Sequence, residues 1–302
     1  MQTISSSIWE GVRNAFGDPA SIRRVLATHP RMRASLRAPA RTISARNVPS
    51  WHELGTPPLL GWPRRAKGHL VGWTASGGDG WQSFHIVRPE YARLARCQIT
   101  QATLDLQAID GFAASKSDLN TFASTDEMVI SNSRELIAEI SLQQLAKALA
   151  HREIRIIHSP GADHFARYLW DVPAPRLWLM NSGGSHHLAA AKLIAARLGQ
   201  SVPLTGDLHT HSLDASSVAS LRAEFELFAL ADDDVGMTAF ADAMRAVRAT
   251  WLSHPLPRPY ERSTAVLLPR SEGRSMRVAL EMRKAGMTDL GEHLSALATA
   301  LD

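Results

Sequence analysis

The sequence predicts an α/β (α+β) protein, because strand-like and helix-like segments alternate through its central part. Residues 177–180 form a short apolar run typical of a buried strand, and the alanine-rich segment 187–198 has the length of a helix. A second apolar segment at 202–204 predicts another strand. A polar glycine turn, Asn181 to Ser185, connects the first strand to the helix. We expect the rest of the chain to be organised around this unit.

The composition is that of an ordinary globular protein. Hydrophobic residues make up 45% of the 302 residues and aromatic residues 6%, which is enough for a packed core. No apolar run approaches the ~20 residues of a membrane span, and no signal peptide is apparent at the start. A single cysteine, Cys97, excludes an intrachain disulfide and a four-cysteine zinc site. We therefore expect a protein of the reducing bacterial cytoplasm with no membrane partner.

Four regions follow one another along the chain. Residues 1–67 read as a basic region of helices and a proline-rich connector, and residues 68–133 as a β-hairpin followed by a loop. The core region spans 134–213, and residues 214–302 form a C-terminal helical region. The hairpin is predicted at 68–90, and the polar segment 110–133 is predicted to be a boundary or a mobile loop.

Further elements are predicted from hydrophobic periodicity and from turn residues. A helix over 133–151, capped by Ser133, precedes a strand at 154–157 and a short helix through Tyr168 and Trp170. Two amphipathic helices are predicted over 214–228 and 237–251, with an extended proline-containing segment after them. A short strand at 265–268 and helices over 270–285 and 288–301 complete the chain.

Positive charge is concentrated near the N-terminus. The whole chain has a formal net charge of +4, whereas residues 1–50 carry eight arginines against Glu10 and Asp18. Such a segment can bind the phosphates of a nucleic acid. It can equally be a solvated face, because it lacks interleaved aromatic residues and a recognisable DNA-binding motif. A non-catalytic nucleic-acid-binding accessory protein of plasmid or phage type is therefore an alternative function.

The glycine turn predicts an anion-binding site. Two glycines let the backbone approach a ligand closely, and the start of the following helix adds N–H donors and partial positive charge. The expected ligand-binding residues of the turn are Asn181, Ser182, Gly183, Gly184 and Ser185.

Two histidines follow the turn and are the candidate catalytic residues. His186 and His187 could act as an acid or a base in phosphate chemistry. Adjacent helical residues point about 100° apart, so we expect only one of them to face the ligand. His186 lies nearer the turn, so we expect His186 to face the ligand.

This arrangement resembles the ParB/sulfiredoxin superfamily over about residues 140–204. The matching residues are Gly183, Gly184, Ser185, His186, His187, Ala189, Ala190, Ala191, Gly199, Val202 and Pro203. The resemblance implies a mixed sheet with packed helices, and nucleotide phosphates bound at the turn and helix start. Two departures are that His187 stands where the superfamily usually has arginine, and Ser185 where sulfiredoxins have their reactive cysteine. The whole chain also resembles a bacterial protein family that has no assigned activity.

The segment Asp207 to Ser212 predicts a metal site. In a strand, Asp207, His209 and His211 share one face, and imidazole and carboxylate groups can hold a divalent metal such as Mg²⁺, Mn²⁺ or Zn²⁺. The segment resembles the first motif of PHP-type metal phosphoesterases. Only about 90 residues follow it, and none of that family's later motifs is present. The metal site is therefore predicted from the side chains of this segment and not from membership of that family.

Charge and histidine content add to the expected site. Seven of the thirteen histidines, including His158 and His164, fall within residues 151–211. Arginines of 258–277 could reach a phosphate, and we expect Arg274 to supply the positive charge that His187 lacks. The alternative is that these arginines form surface ion pairs with neighbouring glutamates.

Together these patterns predict a protein that binds a nucleotide or another phosphorylated ligand at Asn181–His187. Metal-assisted hydrolysis or transfer of phosphate is a further possibility. A structural protein with a degenerate site is the third alternative.

Overall fold

The computed structural model of the chain describes residues 2–56, 67–76, 80–152, 154 and 163–299. The predicted strand at 154–157, apart from its first residue, and His158 lie outside the described residues. The described helices and strands occur in both of the units defined below and make a mixed α+β fold, which confirms the predicted class.

The described α-helices range from one turn to four. They are α1 Gln2–Ala15, α2 Ala20–Thr28, α3 Pro89–Ala92, α4 Thr125–Asn132, α5 Leu142–Leu149, α6 Ser185–Leu198, α7 Ala215–Glu224, α8 Asp234–Val247, α9 Gly273–Lys284 and α10 Leu290–Thr299. Short 3₁₀ turns lie at Pro30–Met32, Ala45–Asn47, Trp51–Glu53, Leu106–Ala108, Leu119–Thr121 and Arg134–Ile137.

The described strands belong to two sheets. They are β1 His69–Ala75, β2 Trp81–Val87, β3 Ala95–Asp105, β4 Gly111–Phe112, β5 Asp163–Tyr168, β6 Leu177–Leu179, β7 Pro203–Leu213, β8 Phe225–Ala231, β9 Trp251–Pro255, β10 Ser263–Pro269 and β11 Thr288–Asp289.

The chain divides into two compact units, each made of segments that are distant in sequence. The first unit comprises Met1–Arg37, Ser50–Ala95 and Leu213–Asp302, and the second comprises Ala38–Pro49 and Arg96–Ser212. The four consecutive regions expected from the sequence differ from this division. Only the expected boundary after residue 213 nearly coincides with a boundary between the units.

The first unit is built on an antiparallel sheet. Within the described residues its six strands lie in the order β11-β8-β10-β9-β1-β2. The predicted hairpin is present as β1 and β2, with Leu70 opposite Ile86. Side chains of α2, α8 and α9 pack on the sheet and form a core that includes Ile22, Phe240 and Val278, all fully buried.

Two predicted helices of the first unit are too long, because the predicted range of each reaches a strand. The helix expected over 214–228 ends at Glu224, and Phe225–Ala231 is the strand β8, almost all of it buried. The helix expected over 237–251 ends at Val247, and Trp251 begins β9 and stacks on Trp73 with ring centroids 4.5 Å apart. Apolar residues buried on both faces of a strand lack the period-2 alternation that identifies a strand.

The second unit has a mixed sheet covered by helices. Its described strands lie in the order β3-β7-β5-β6-β4, with β5 parallel to β7 and antiparallel to β6. Helix α6 packs through its alanines, because Ala189, Ala190 and Ala191 are fully buried and allow a close approach. The helix ends at Gly199, whose φ of +63° is in the left-handed region that favours glycine.

Three expectations for the second unit are corrected by the structure. The segment 110–133 is not an open loop, because Phe112, Met128 and Val129 are buried in the core around β4 and α4. Residues 163–168 form β5 instead of a helix. The helix expected over 133–151 is a 3₁₀ turn followed by α5, which Ser141 caps by accepting from the Gln144 N–H at 3.1 Å.

Candidate ligand-binding site

A cavity of about 670 Å³ lies in the second unit at the start of α6. Its described wall residues are Ala114, Ser115, Lys116, Ser133, Glu135, Leu136, His151, Arg152, Ser182, Gly183, Gly184, Ser185, His186 and His187. The volume lies within the range of about 300–1,000 Å³ that is typical of small-molecule sites. The cavity therefore forms at the glycine turn that the sequence predicts to bind an anion.

Gly184 lets the chain turn sharply into α6. Its φ of +76° is in the left-handed region, which costs a residue with a Cβ about 1–2 kcal/mol. Gly184 is also the N-cap of α6, and as a glycine it has no side-chain oxygen to cap the helix. The first N–H groups of an α-helix have no partner inside the helix. The cavity wall therefore carries N–H donors and the partial positive charge of a helix start.

Asn181 positions the wall and is not one of its described lining residues, in contrast to the predicted ligand contact. It is 6% exposed. Its Oδ1 accepts from the N–H groups of Ala113 and Ala114 at 3.1 and 3.3 Å. Its Nδ2 donates to the carbonyls of Ala114 and Gly183 at 2.9 and 2.8 Å. These four hydrogen bonds tie the segment after β4 to the glycine turn.

Ser185 makes a second tie between the same two segments. It is 2% exposed, and its hydroxyl donates to Oγ of Ser115 at 2.7 Å. Ser182 is exposed on the cavity wall, next to Gly183. Of the five turn residues expected to bind the ligand, four therefore line the cavity and Asn181 supports them from behind.

His186 is held between two serine hydroxyls. Its Nδ1 lies 2.6 Å from Oγ of Ser133, and its Nε2 lies 3.1 Å from Oγ of Ser117. Asn132 donates from Nδ2 to the same Ser117 oxygen at 3.0 Å. Ser133 is thus a partner of the histidine ring and not the helix cap that the sequence predicts.

The environment of His186 favours its neutral form. Burial of the ring lowers the pKa of His186, an effect that Glu135 opposes and Lys116 reinforces. A neutral imidazole donates from one ring nitrogen and accepts at the other, and the two hydroxyls can satisfy both. Because both nitrogens are occupied, the geometry supports a positioning role for His186 more than the predicted acid–base role.

His187 also lines the cavity, so the expectation that only one of the two histidines faces it is corrected. Its ring stacks on the ring of His151, with centroids 3.9 Å apart and planes 14° apart. The wall also includes His151, the stacking partner of His187, and the neighbouring Arg152.

Charged side chains on the described wall are mainly positive. Lys116 and Arg152 line the cavity together with one carboxylate, Glu135. Arg274, which the sequence predicts to supply a phosphate-binding charge, belongs to α9 of the first unit. Its guanidinium donates to the carbonyl of Val247 at 2.7 Å and to that of Ala15 at 3.2 Å. Backbone carbonyls therefore hold Arg274 within its own unit.

A second cluster of chemically able side chains lies in the same unit. His209 and His211 point to one side of β7, as predicted, and Cys97 of the neighbouring strand β3 completes the group. The ligand atoms of Cys97, His209 and His211 all lie within 4.8 Å of one another. Asp207, the third predicted metal ligand, is not a member of this group. None of the three lines the described part of the cavity.

The basic N-terminal segment uses several of its arginines internally. Arg13 pairs with Asp18 at 2.6 Å, and Arg24 pairs with Glu10 at 3.0 Å. Arg33 donates to the carbonyl of Ala285 at 2.6 Å. These contacts reduce the charge available to a nucleic acid, and binding by residues 1–50 stays a prediction.

The fold and the cavity define a mixed α+β protein with a polar, small-molecule-sized site. The model of the "Family of unknown function (DUF6685)" matches residues 99–302, and the chain belongs to this family. The matched range includes every described wall residue of the cavity, whereas Cys97 lies just before it. No curated protein and no solved structure matches the chain. Among the described residues, no helix has the length and apolar character needed to cross a membrane.

Proposed function

We propose that the protein binds a phosphorylated small molecule, with a nucleotide as the first candidate, in the cavity at the start of α6. The observation that carries the proposal is the position of the Ser182–His187 turn and helix start on the wall of a cavity large enough for such a ligand. Backbone N–H groups at a helix start point toward a bound anion and donate to phosphate oxygens.

The charges of the wall fit an anion. With neutral histidines, Lys116 and Arg152 outweigh Glu135. Both cations are exposed, so they can move toward a ligand, and Arg152 can donate to a phosphate in a bidentate manner. The resemblance to the ParB/sulfiredoxin superfamily makes nucleotides the first ligands to test, and Arg152 is our candidate for the charge that His187 does not provide.

The geometry favours binding over catalysis. Both ring nitrogens of His186 are hydrogen-bonded to serine hydroxyls. Of the described residues on the wall, none belongs to the Cys97, His209 and His211 group. We therefore confine the proposal to binding and do not include metal-assisted phosphate hydrolysis.

Isothermal titration calorimetry tests this proposal. ATP, CTP, GTP and pyrophosphate are titrated into the full-length protein with and without Mg²⁺. We expect saturable binding of at least one of them, weakened about tenfold or more in Arg152→Ala, since a hydrogen bond to a charged group contributes about 1.5–3 kcal/mol. Arg197→Ala is the matched control, because Arg197 is exposed in the last turn of α6, at the end of the helix away from the cavity.

Two results would count against the proposal. Absence of heat with all four ligands favours the structural protein with a degenerate site. Equal weakening of binding by Arg152→Ala and Arg197→Ala would show that general positive charge, and not the cavity, attracts the ligand.

A further inference from the structure

Two adjacent strands of the second unit bring one thiol and two imidazoles together. The Cys97 Sγ lies 3.8 Å from Nδ1 of His209 and 4.0 Å from Nε2 of His211. Cys97 is on β3, and both histidines are on β7, two residues apart, so their side chains emerge on the same face of the strand. The nearest described donors are thus one sulfur and two nitrogens in a compact triangle.

The two sulfur–nitrogen sides of the triangle are close to those of a zinc site. Zinc bonds of about 2.3 Å to sulfur and about 2.0–2.1 Å to nitrogen, at tetrahedral angles, place the sulfur about 3.6 Å from each nitrogen. The observed separations of 3.8 and 4.0 Å exceed this value by only a few tenths of an ångström. Small side-chain rotations would therefore bring all three atoms to one ion.

The donor set selects the kind of metal. A thiolate and two imidazoles suit zinc and other soft or borderline transition metals, whereas Mg²⁺ prefers carboxylate, carbonyl and water oxygens. Cys97 is exposed, so an ion can reach the site and keep a coordination position open to solvent. We propose that Cys97, His209 and His211 bind one Zn²⁺. This site is independent of the proposed function, and its ligand set replaces Asp207 with Cys97.

Neighbouring aromatic rings support one of the ligands. The ring of Tyr168 stacks on the ring of His211, with centroids 5.1 Å apart and planes 17° apart, and Tyr168 is 7% exposed. Packing of this kind holds the imidazole in a fixed orientation, which lowers the cost of ordering it around an ion.

Cobalt titration of the full-length protein tests the site. The protein is freed of metal with a chelator, kept reduced and titrated with Co²⁺. We expect one equivalent to bind and to produce a near-ultraviolet thiolate-to-cobalt charge-transfer band together with the visible bands of a low-coordinate ion. Zn²⁺ should displace the cobalt stoichiometrically, and Mg²⁺ should not.

Variants identify the ligands. Cys97→Ser should abolish the charge-transfer band, and His209→Ala and His211→Ala should each weaken Co²⁺ binding by at least about tenfold, the lower end of the loss caused by removing even an outer-shell partner. Thr210→Ala and Asp207→Asn are the matched controls on the same strand, and both should bind Co²⁺ as the wild type does. Far-ultraviolet circular dichroism checks that each variant is folded.

Three outcomes would overturn the assignment. One is the absence of saturable Co²⁺ binding, which would leave the cluster as a hydrogen-bonded thiol–imidazole group. Another is a charge-transfer band that survives in Cys97→Ser. The third is loss of binding in Asp207→Asn with retention in Cys97→Ser, which would place the ion on the set predicted from the sequence.

Discussion

Replacing Asn181 tests whether the cavity wall depends on one buried amide. Asn181→Ala removes four hydrogen bonds to backbone groups of Ala113, Ala114 and Gly183. A neutral hydrogen bond contributes about 1 kcal/mol net, and the 3.3 Å bond contributes less. We therefore expect the free energy of unfolding of the second unit to fall by about 3–4 kcal/mol, measured by urea denaturation.

Asn181→Asp gives the same test a pH dependence. The aspartate keeps Oδ1 but places a second oxygen against two carbonyls, at the positions where Nδ2 now donates at 2.9 and 2.8 Å. Burial and these carbonyls should raise its folded-state pKa above the usual value of about 3.9. Relative to the wild type, the variant should therefore be least destabilised near pH 4, where the acid is protonated, and increasingly destabilised as the pH rises through the raised pKa.

A matched control distinguishes loss of the hydrogen bonds in the cavity wall from the general effect of replacing an asparagine. Asn120→Ala removes an exposed asparagine of the same unit and should change the free energy of unfolding by less than about 0.5 kcal/mol. Two results would contradict this prediction. One is that Asn181→Ala unfolds at the same urea concentration as the wild type, and the other is that Asn181→Asp destabilises the protein equally near pH 4 and above the raised pKa.

Three further predictions address the turn, the clamped histidine and the first unit. Gly184→Ala and Gly199→Ala should each lower the free energy of unfolding in urea by about 1–2 kcal/mol, because both glycines have left-handed φ values. Only Gly184→Ala should also weaken ligand binding in the calorimetric assay, and equal weakening by both variants would contradict this prediction. Ser133→Ala removes the hydroxyl 2.6 Å from His186 Nδ1 and should lower the free energy of unfolding by about 1 kcal/mol. It should also shift the tautomer ratio of the His186 ring in ¹⁵N NMR, and an unchanged ratio would mean that the hydroxyl does not orient the ring. Burial lowers the pKa of His52 to about 4, so the contribution of His52 to the stability of the first unit should be fully present above about pH 6.5 and decrease by about 3 kcal/mol as the pH falls toward 4. His52→Gln should remove this decrease from the pH dependence of the free energy of unfolding in urea, and an unchanged pH dependence would assign it to other groups.

Local patterns predicted the elements whose turn residues and apolar residues lie close together in the sequence. The hairpin of β1 and β2, the helix α6 with its glycine end and the strand β10 lie close to their predicted positions. In each of them the turn residues and the apolar spacing are adjacent in sequence, so a short window contains the information. The glycine turn before α6 was predicted for the same reason, because Gly183 and Gly184 lie between an apolar strand and an alanine-rich helix.

Two segments were mispredicted because their burial is not visible in the local pattern. Phe225–Ala231 is buried on both faces, and its apolar residues, interrupted only by Glu226, look like the end of a helix when the sheet around them is unknown. The segment 110–133 is polar in composition, yet its few apolar side chains are buried together around β4 and α4. Burial is a property of the neighbours, and a window of sequence does not contain them.

Local sequence patterns were sufficient to locate the candidate site. They selected the turn at 181–185, the two histidines after it and the pair His209 and His211 on one strand face, because glycine conformation, helix polarity and strand alternation are local physical constraints.

The surroundings of these residues depend on contacts between segments that are distant in the sequence. The tertiary structure placed the hydroxyls of Ser117 and Ser133 on the ring of His186, and it replaced Arg274 with Lys116 and Arg152 as the cations of the wall. It also brought Cys97 to His209 and His211 across more than a hundred residues of chain. Such contacts form only when distant strands and loops become neighbours in space. The packing of the whole unit decides which of them do.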